Sequence, residues 1–139
     1  MDDKLSFSLA VRLFRGEKAF GPGIATLLRE IERTGSLQKA AESMNMAYSK
    51  AWKIIRETER IWGFPLTDRD IGGKNGGGSR LTSEGRFLLE RYEHFAADIQ
   101  EKCTEVFEKY YSENFFGELE TLKFDKFMGG FDGRTHRFL

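Results

Sequence analysis

The sequence predicts a mainly α fold in which a helix-turn-helix is followed by a glycine-tipped hairpin and one long helix. Three observations between Gly35 and the C-terminal half carry this prediction. Ala40 and Ala41 give a short helix a small face that a second helix can cross closely, and the break Asn45-Met46-Ala47 is too short to send that helix anywhere else. Five glycines lie within Ile71-Gly72-Gly73-Lys74-Asn75-Gly76-Gly77-Gly78, between two short strand candidates. Beyond them, apolar residues recur every three or four positions over several turns. Together these make a winged helix-turn-helix with an N-terminal strand, a two-stranded glycine-rich wing and a long C-terminal helix.

Each element has its own signal. Residues 5 to 13 alternate, with Leu5, Phe7, Leu9, Val11 and Leu13 on one side, which predicts a half-buried strand. From Ile24 the spacing becomes helical through Leu27, Leu28 and Ile31. Pro22 suits the first turn of that helix and Gly35 its C-terminal stop. Ser36 is the expected N-cap of a helix over 37–44. The next helix, about 48–62, is expected to bury Ala51, Ile55, Thr58 and Trp62, and Pro65 forbids its continuation. Leu66 to Asp70 and Ser79 to Leu81 are the wing strands. The last helix starts near Thr82-Ser83 and runs to about Ser112, with a stripe of Leu88, Tyr92, Phe95, Ile99, Cys103, Val106 and Tyr110. Residues 113–139 hold many aromatics but no sustained period, so no element is assigned there. The expected organisation is therefore 1–81 for the winged helix, 82–112 for the long helix and 113–139 for a tail.

Composition narrows the function classes. No apolar run approaches the roughly 20 residues that span a bilayer, and no signal-peptide pattern opens the chain, so a cytoplasmic protein is expected. The lone Cys103 excludes an intrachain disulfide. His94 and His136 lie far apart without Cys or carboxylates at ligand spacing, so no metal or other cofactor is expected. No nucleophile-base grouping marks an enzyme. A phosphate-binding loop would need Gly-x-x-x-x-Gly-Lys-Ser/Thr, but Asn75 follows Gly73-Lys74 and Asp68 replaces the first glycine.

The zero net charge hides an uneven distribution. Residues 36–80 hold eight Lys/Arg against five Asp/Glu, whereas residues 81–139 hold eight against twelve. A basic reading head and an acidic tail fit a chain with one face on phosphates. Tyr48, Ser49, Lys50, Lys53 and Arg56 are candidate major-groove contacts, because Lys and Arg donate to guanine or phosphate and Ser bonds either. Ser49, Lys50 and Lys53, opposite Ile54 and Ile55, are the leading ones; the competing reading is a solvated helix face. Trp52 is expected to pack at the helix edge rather than to read a base, and Glu57 and Glu59 are expected as surface charges. Lys74 and Arg80 bracket the wing glycines and are candidate phosphate or minor-groove contacts.

The segments GSLQKAA, AYSKAW, GFPLTDR and GGKNGGGSRLTSEG resemble the winged helix-turn-helix of ModE-type molybdate regulators, itself similar to the LysR-type DNA-binding domain. The resemblance covers about residues 4–112 and implies a sequence-specific, DNA-binding transcriptional regulator. Full-length members continue into small molybdate-binding barrels, and the 27 residues after the last helix are too few for them, so molybdate sensing is not expected. Ala47 stands where the family has a capping Ser or Thr, which passes the cap to Asn45 or Ser49. Thr67 replaces an apolar residue and loosens the first wing strand.

The winged helix cannot cover the distal half of the long helix. A homodimer seam over Leu88, Tyr92, Phe95, Ile99, Val106 and Tyr110 is expected. The leading partner is double-stranded DNA; the alternative is a winged-helix protein-interaction module without a direct DNA role. No effector is assigned.

Overall fold

The computed structural model describes residues 4–70 and 78–129. They fall into two compact units, one over Ser8–Ile99 and the other over the terminal residues to Phe7 together with those from Gln100 onward.

In the first unit the order is β1 (Leu13–Arg15), β2 (Glu17–Phe20), α1 (Pro22–Thr34), α2 (Leu37–Ser43), α3 (Tyr48–Trp62), β3 (Thr67–Asp70), β4 (Gly78–Leu81) and α4 (Ser83–Tyr110), of which the residues through Ile99 belong here. Each strand pair is an antiparallel two-stranded sheet. Phe20, Leu27, Leu28, Ile31, Leu66 and Leu89 are almost wholly removed from water and centre the core. Burial of each is worth about 1.5–3 kcal/mol. Ala40, Ala41 and Ala51 are as deeply buried, and their lack of bulk lets α2, α3 and α1 share one core.

The N-terminal strand lies further along than the alternation implied. Residues 4–12 form no regular element, and the ladder runs between β1 and β2 across Gly16 at φ 76°. A strand needs a partner for its backbone groups, and residues 5–11 have none in a sheet. Leu5 and Leu9 are correspondingly exposed. The segment is held by side chains instead: the Tyr92 hydroxyl donates to the Val11 carbonyl at 2.7 Å.

Helix boundaries follow their caps. Gly35 and Gly63 end α1 and α3 in the left-handed region, where only glycine is unstrained, and donate back to Ile31 and Glu59. Thr82 makes the turn into α4: its hydroxyl accepts the Gly85 N–H at 2.9 Å and donates to the Pro65 carbonyl at 2.7 Å. Gly85 lies against the Leu66 backbone so closely that a Cβ there would stand 2.3 Å from the Leu66 carbonyl oxygen. Arg29 clamps Glu93 with both nitrogen sides and also holds Glu32, which in turn takes Arg86, so α1 and α4 are tied by a charged network as well as by the core.

In the second unit Phe7, Phe107, Tyr111, Phe115 and Phe116 form a chain of ring contacts with centroids 5.0–5.3 Å apart. Residues 115–127, assigned no element from sequence, form α5 (Phe115–Phe127). Among the described residues no helix is long and apolar enough to cross a membrane, and no group of three or more His, Cys, Asp or Glu could hold a metal ion.

Candidate nucleic-acid interface

The helix-turn-helix is assembled from short-range bonds. Ser36 caps α2 by accepting the Lys39 N–H at 3.2 Å. The turn closes through Asn45 N–H to the Glu42 carbonyl and Met46 N–H to the Ala41 carbonyl, with Asn45 at φ 52°. Ser43 donates to Glu30 at 2.9 Å and Arg33 pairs with the same carboxylate at 2.6 Å. The Arg33 hydrogen bond, then Ser43, hold the Glu30 carboxyl below its ordinary range. The cap of α3 passes neither to Asn45 nor to Ser49: Ala47 itself occupies the position in extended conformation without a side-chain bond. Asn45 is committed to the turn, and Ser49 already lies inside the first helical turn. The N–H groups of Tyr48 and Ser49 thus have no partner among the described residues, at the positive end of the helix dipole.

With about 100° per residue, the buried Ala51, Ile55 and Thr58 define the inner side of α3. Ser49, Lys53 and Arg56 are exposed on the opposite side. The wing is anchored on the end of α1, Ser79 N–H of β4 donating to the Gly35 carbonyl at 2.8 Å. The residue leading into its other strand is fastened by α3, since Glu59 accepts the Leu66 N–H at 2.8 Å. A short helix, a turn, an exposed cationic helix and a paired hairpin are thereby fixed on one scaffold.

Known sequences match this segment. Residues 25–86 match the model of the bacterial regulatory helix-turn-helix protein, lysR family. The transcriptional regulator ModE of Haemophilus influenzae is 39% identical over 72 residues, covering 52% of this chain and 28% of that protein. The chain carries a ModE-type winged helix-turn-helix domain. The DNA-binding transcriptional dual regulator ModE of Escherichia coli K12 is 35% identical over 85 residues, 61% of this chain and 32% of its own length. The Yersinia pestis regulator ModE is 34% identical over 99 residues, 71% and 35% respectively. The chain thus spans about a third of the length of these relatives.

Within this ModE-type domain the expected contact residues separate into groups. Ser49, Lys53 and Arg56 share the outward side of α3. Lys50 does not: it stands on the side of Ile54, and with Lys53, Lys18 and Glu57 it borders a cleft of about 470 Å³ between α3 and β2. Tyr48, 48% exposed, lies toward the other edge. Neither Lys50 nor Lys53 forms an ion pair among the described residues, whereas Arg56 approaches Glu59 at 3.9 Å. Arg80 is exposed in β4 opposite Asp68. Lys74 and the glycine tip lie outside the described residues.

The stripe on α4 also divides. Leu88 and Tyr92, placed in a subunit seam by the periodicity, belong to the core of their own chain at 8% and 6% exposure. The first turns of α4 pack beside Phe20, whose ring centre is 4.9 Å from that of Tyr92. Burial raises the Tyr92 phenol above its ordinary pKa. Phe95, Val106 and Tyr110 remain largely exposed and Ile99 half-buried.

Two roles escaped the sequence. Glu59 is a structural acceptor for the wing rather than a surface charge, a contact across seven residues that no periodicity records. Trp52 is 45% exposed under the Arg56 guanidinium, 4.7 Å from the ring centre, and its spacing of four from Arg56 was the available signal. Trp62 instead packs half-buried, donating its Nε1–H to the Ala19 carbonyl at 2.9 Å.

Proposed function

We propose that the protein is a sequence-specific DNA-binding transcriptional regulator that acts in the cytoplasm as a homodimer. The observation that carries the reading is the outward side of α3, where Ser49, Lys53 and Arg56 oppose a fully buried Ala51 inside a ModE-type domain. In this mode α3 enters the major groove, the open N–H groups of its first turn receive a phosphate, and Arg80 and Lys74 let the wing meet the backbone. The wing adds affinity more than specificity, since its glycines carry nothing that reads a base.

The homodimer reading rests on Phe95, Ile99, Val106 and Tyr110, which recur on one face of α4 and are exposed or half-buried. Twofold pairing through them would set two α3 helices about 34 Å apart, one turn of DNA. The molybdenum-pterin binding named for a relative such as MopB of Rhodobacter capsulatus is not carried over.

Binding-site selection from random duplexes with the purified chain tests the proposal. The expected result is a twofold-symmetric site whose affinity falls steeply between low and moderate salt, as phosphate contacts release counterions. Failure to enrich any sequence would overturn it in favour of a protein-interaction module.

A further inference from the structure

Trp52 is unexplained by the core and by the pattern of charge. It is the fifth residue of the fifteen in the helix assigned to the groove, yet 45% of it faces solvent, and Tyr48 one turn earlier is 48% exposed. Helical spacing puts Tyr48, Trp52 and Arg56 on successive turns of one strip. The guanidinium of Arg56 lies over the indole, 4.7 Å from the ring centre, and its ion pair with Glu59 is long at 3.9 Å. The ring therefore positions this cation while leaving most of its donors free for another acceptor. The strip is bordered by Lys53, which has no ion pair among the described residues. An apolar edge set among cations matches a polyanion that also displays apolar groups.

Double-stranded DNA has that chemistry in one place. In the major groove thymine alone presents a methyl group, and guanine presents O6 and N7 to a forked donor. We propose that Trp52 is a base-reading residue, its indole edge covering a thymine C5-methyl while its face holds Arg56 for bidentate donation to a neighbouring guanine. The inference rests on the DNA-binding reading and adds to it the identity of the bases read.

The test uses the full chain and the duplex it selects. Each thymine is replaced singly by uracil, which removes only the methyl, and affinities are measured for the wild type, Trp52→Ala and Arg56→Lys. At one position the wild type is expected to lose about four-fold, the worth of one covered methyl. Trp52→Ala is expected to be indifferent to the same change. Arg56→Lys, which keeps the charge but not the planar fork, is expected to lose its preference for guanine at the adjacent position in a repeat selection. Far-UV circular dichroism of both variants should match the wild type; Trp52→Ala should lower Tm, since more than half of the indole is covered, so affinities are compared well below the Tm of each variant. If no thymine responds in the wild type, or if Trp52→Ala responds equally, the base-reading role is overturned while DNA binding stands. A wild type that selects no duplex would overturn both.

Discussion

Gly85→Ala is the sharpest test of how the wing is mounted on α4. A Cβ at this position would stand 2.3 Å from the Leu66 carbonyl oxygen, 3.0 Å from its carbon and 3.1 Å from its Cα. Comfortable contact begins near about 3.5 Å, so backbone must yield by roughly 1 Å, and no flexible side chain can take up the shift. The same junction carries the Thr82 N–H bond to Leu66 at 3.0 Å and the two Thr82 hydroxyl bonds, which the displacement would stretch. Overpacking costs about 1–3 kcal/mol and each weakened hydrogen bond about 0.5–1.5, while alanine regains about 1 through helix propensity. The expected net loss is about 2–3 kcal/mol. Urea unfolding followed by circular dichroism measures it. Gly23→Ala is the control in the same unit: nothing lies within 4 Å of a Cβ there, so it should stabilise by about 0.4–1 kcal/mol. If Gly85→Ala is as stable as the wild type, the close approach of α4 to Leu66 is wrong.

Three further outcomes are expected. Lys53→Ala should lower affinity for the selected duplex by about 1–3 kcal/mol if it reads a base, or reduce the salt slope by about one if it meets phosphate; titration at several salt concentrations distinguishes them, and no change in either would remove Lys53 from the interface. Ile99→Asp should shift the protein toward monomer in sedimentation equilibrium and weaken DNA binding without altering the fold, whereas a wild type that is already monomeric at tens of micromolar would refute pairing through α4. Tyr92 has its phenol pKa raised by burial, so its contribution to stability is complete below the unfolded value of about 10 and is lost as pH rises through the folded value. Tyr92→Phe, which loses the hydroxyl bond to the Val11 carbonyl, should be less stable than the wild type at neutral pH, and without a phenol to ionise it should show a weaker further loss in alkaline urea titrations.

The helices of the winged domain were legible because their signals are local. Pro22, Gly35 and Ser36 act within a turn of where they stand, and the spacing of Ile24, Leu27, Leu28 and Ile31 records a buried face directly; the stop of α3 was read from Pro65, whereas the residue that caps it is Gly63. The resemblance reached the domain type through the same local runs. The alternation over residues 5–13 reported something narrower than a strand: Val11 and Leu13 do pack on the core, but a ladder needs a second strand, and that pairing was decided at β1 and β2. Helix α5 escaped because it buries no residue and so carries no apolar stripe.

By itself, then, the sequence determined the helix-turn-helix, the glycine-rich hairpin and the cationic residues available to α3, since each depends on neighbours a few positions away. Tertiary structure alone decided which side chains those elements leave open. It drew Leu88 and Tyr92 into the core, gave Glu59 to the Leu66 backbone, turned Lys50 toward β2 and left Trp52 exposed beneath Arg56. Burial and pairing depend on residues distant in sequence that meet only when the chain closes on itself, and periodicity along one helix cannot say what will cover each side of it.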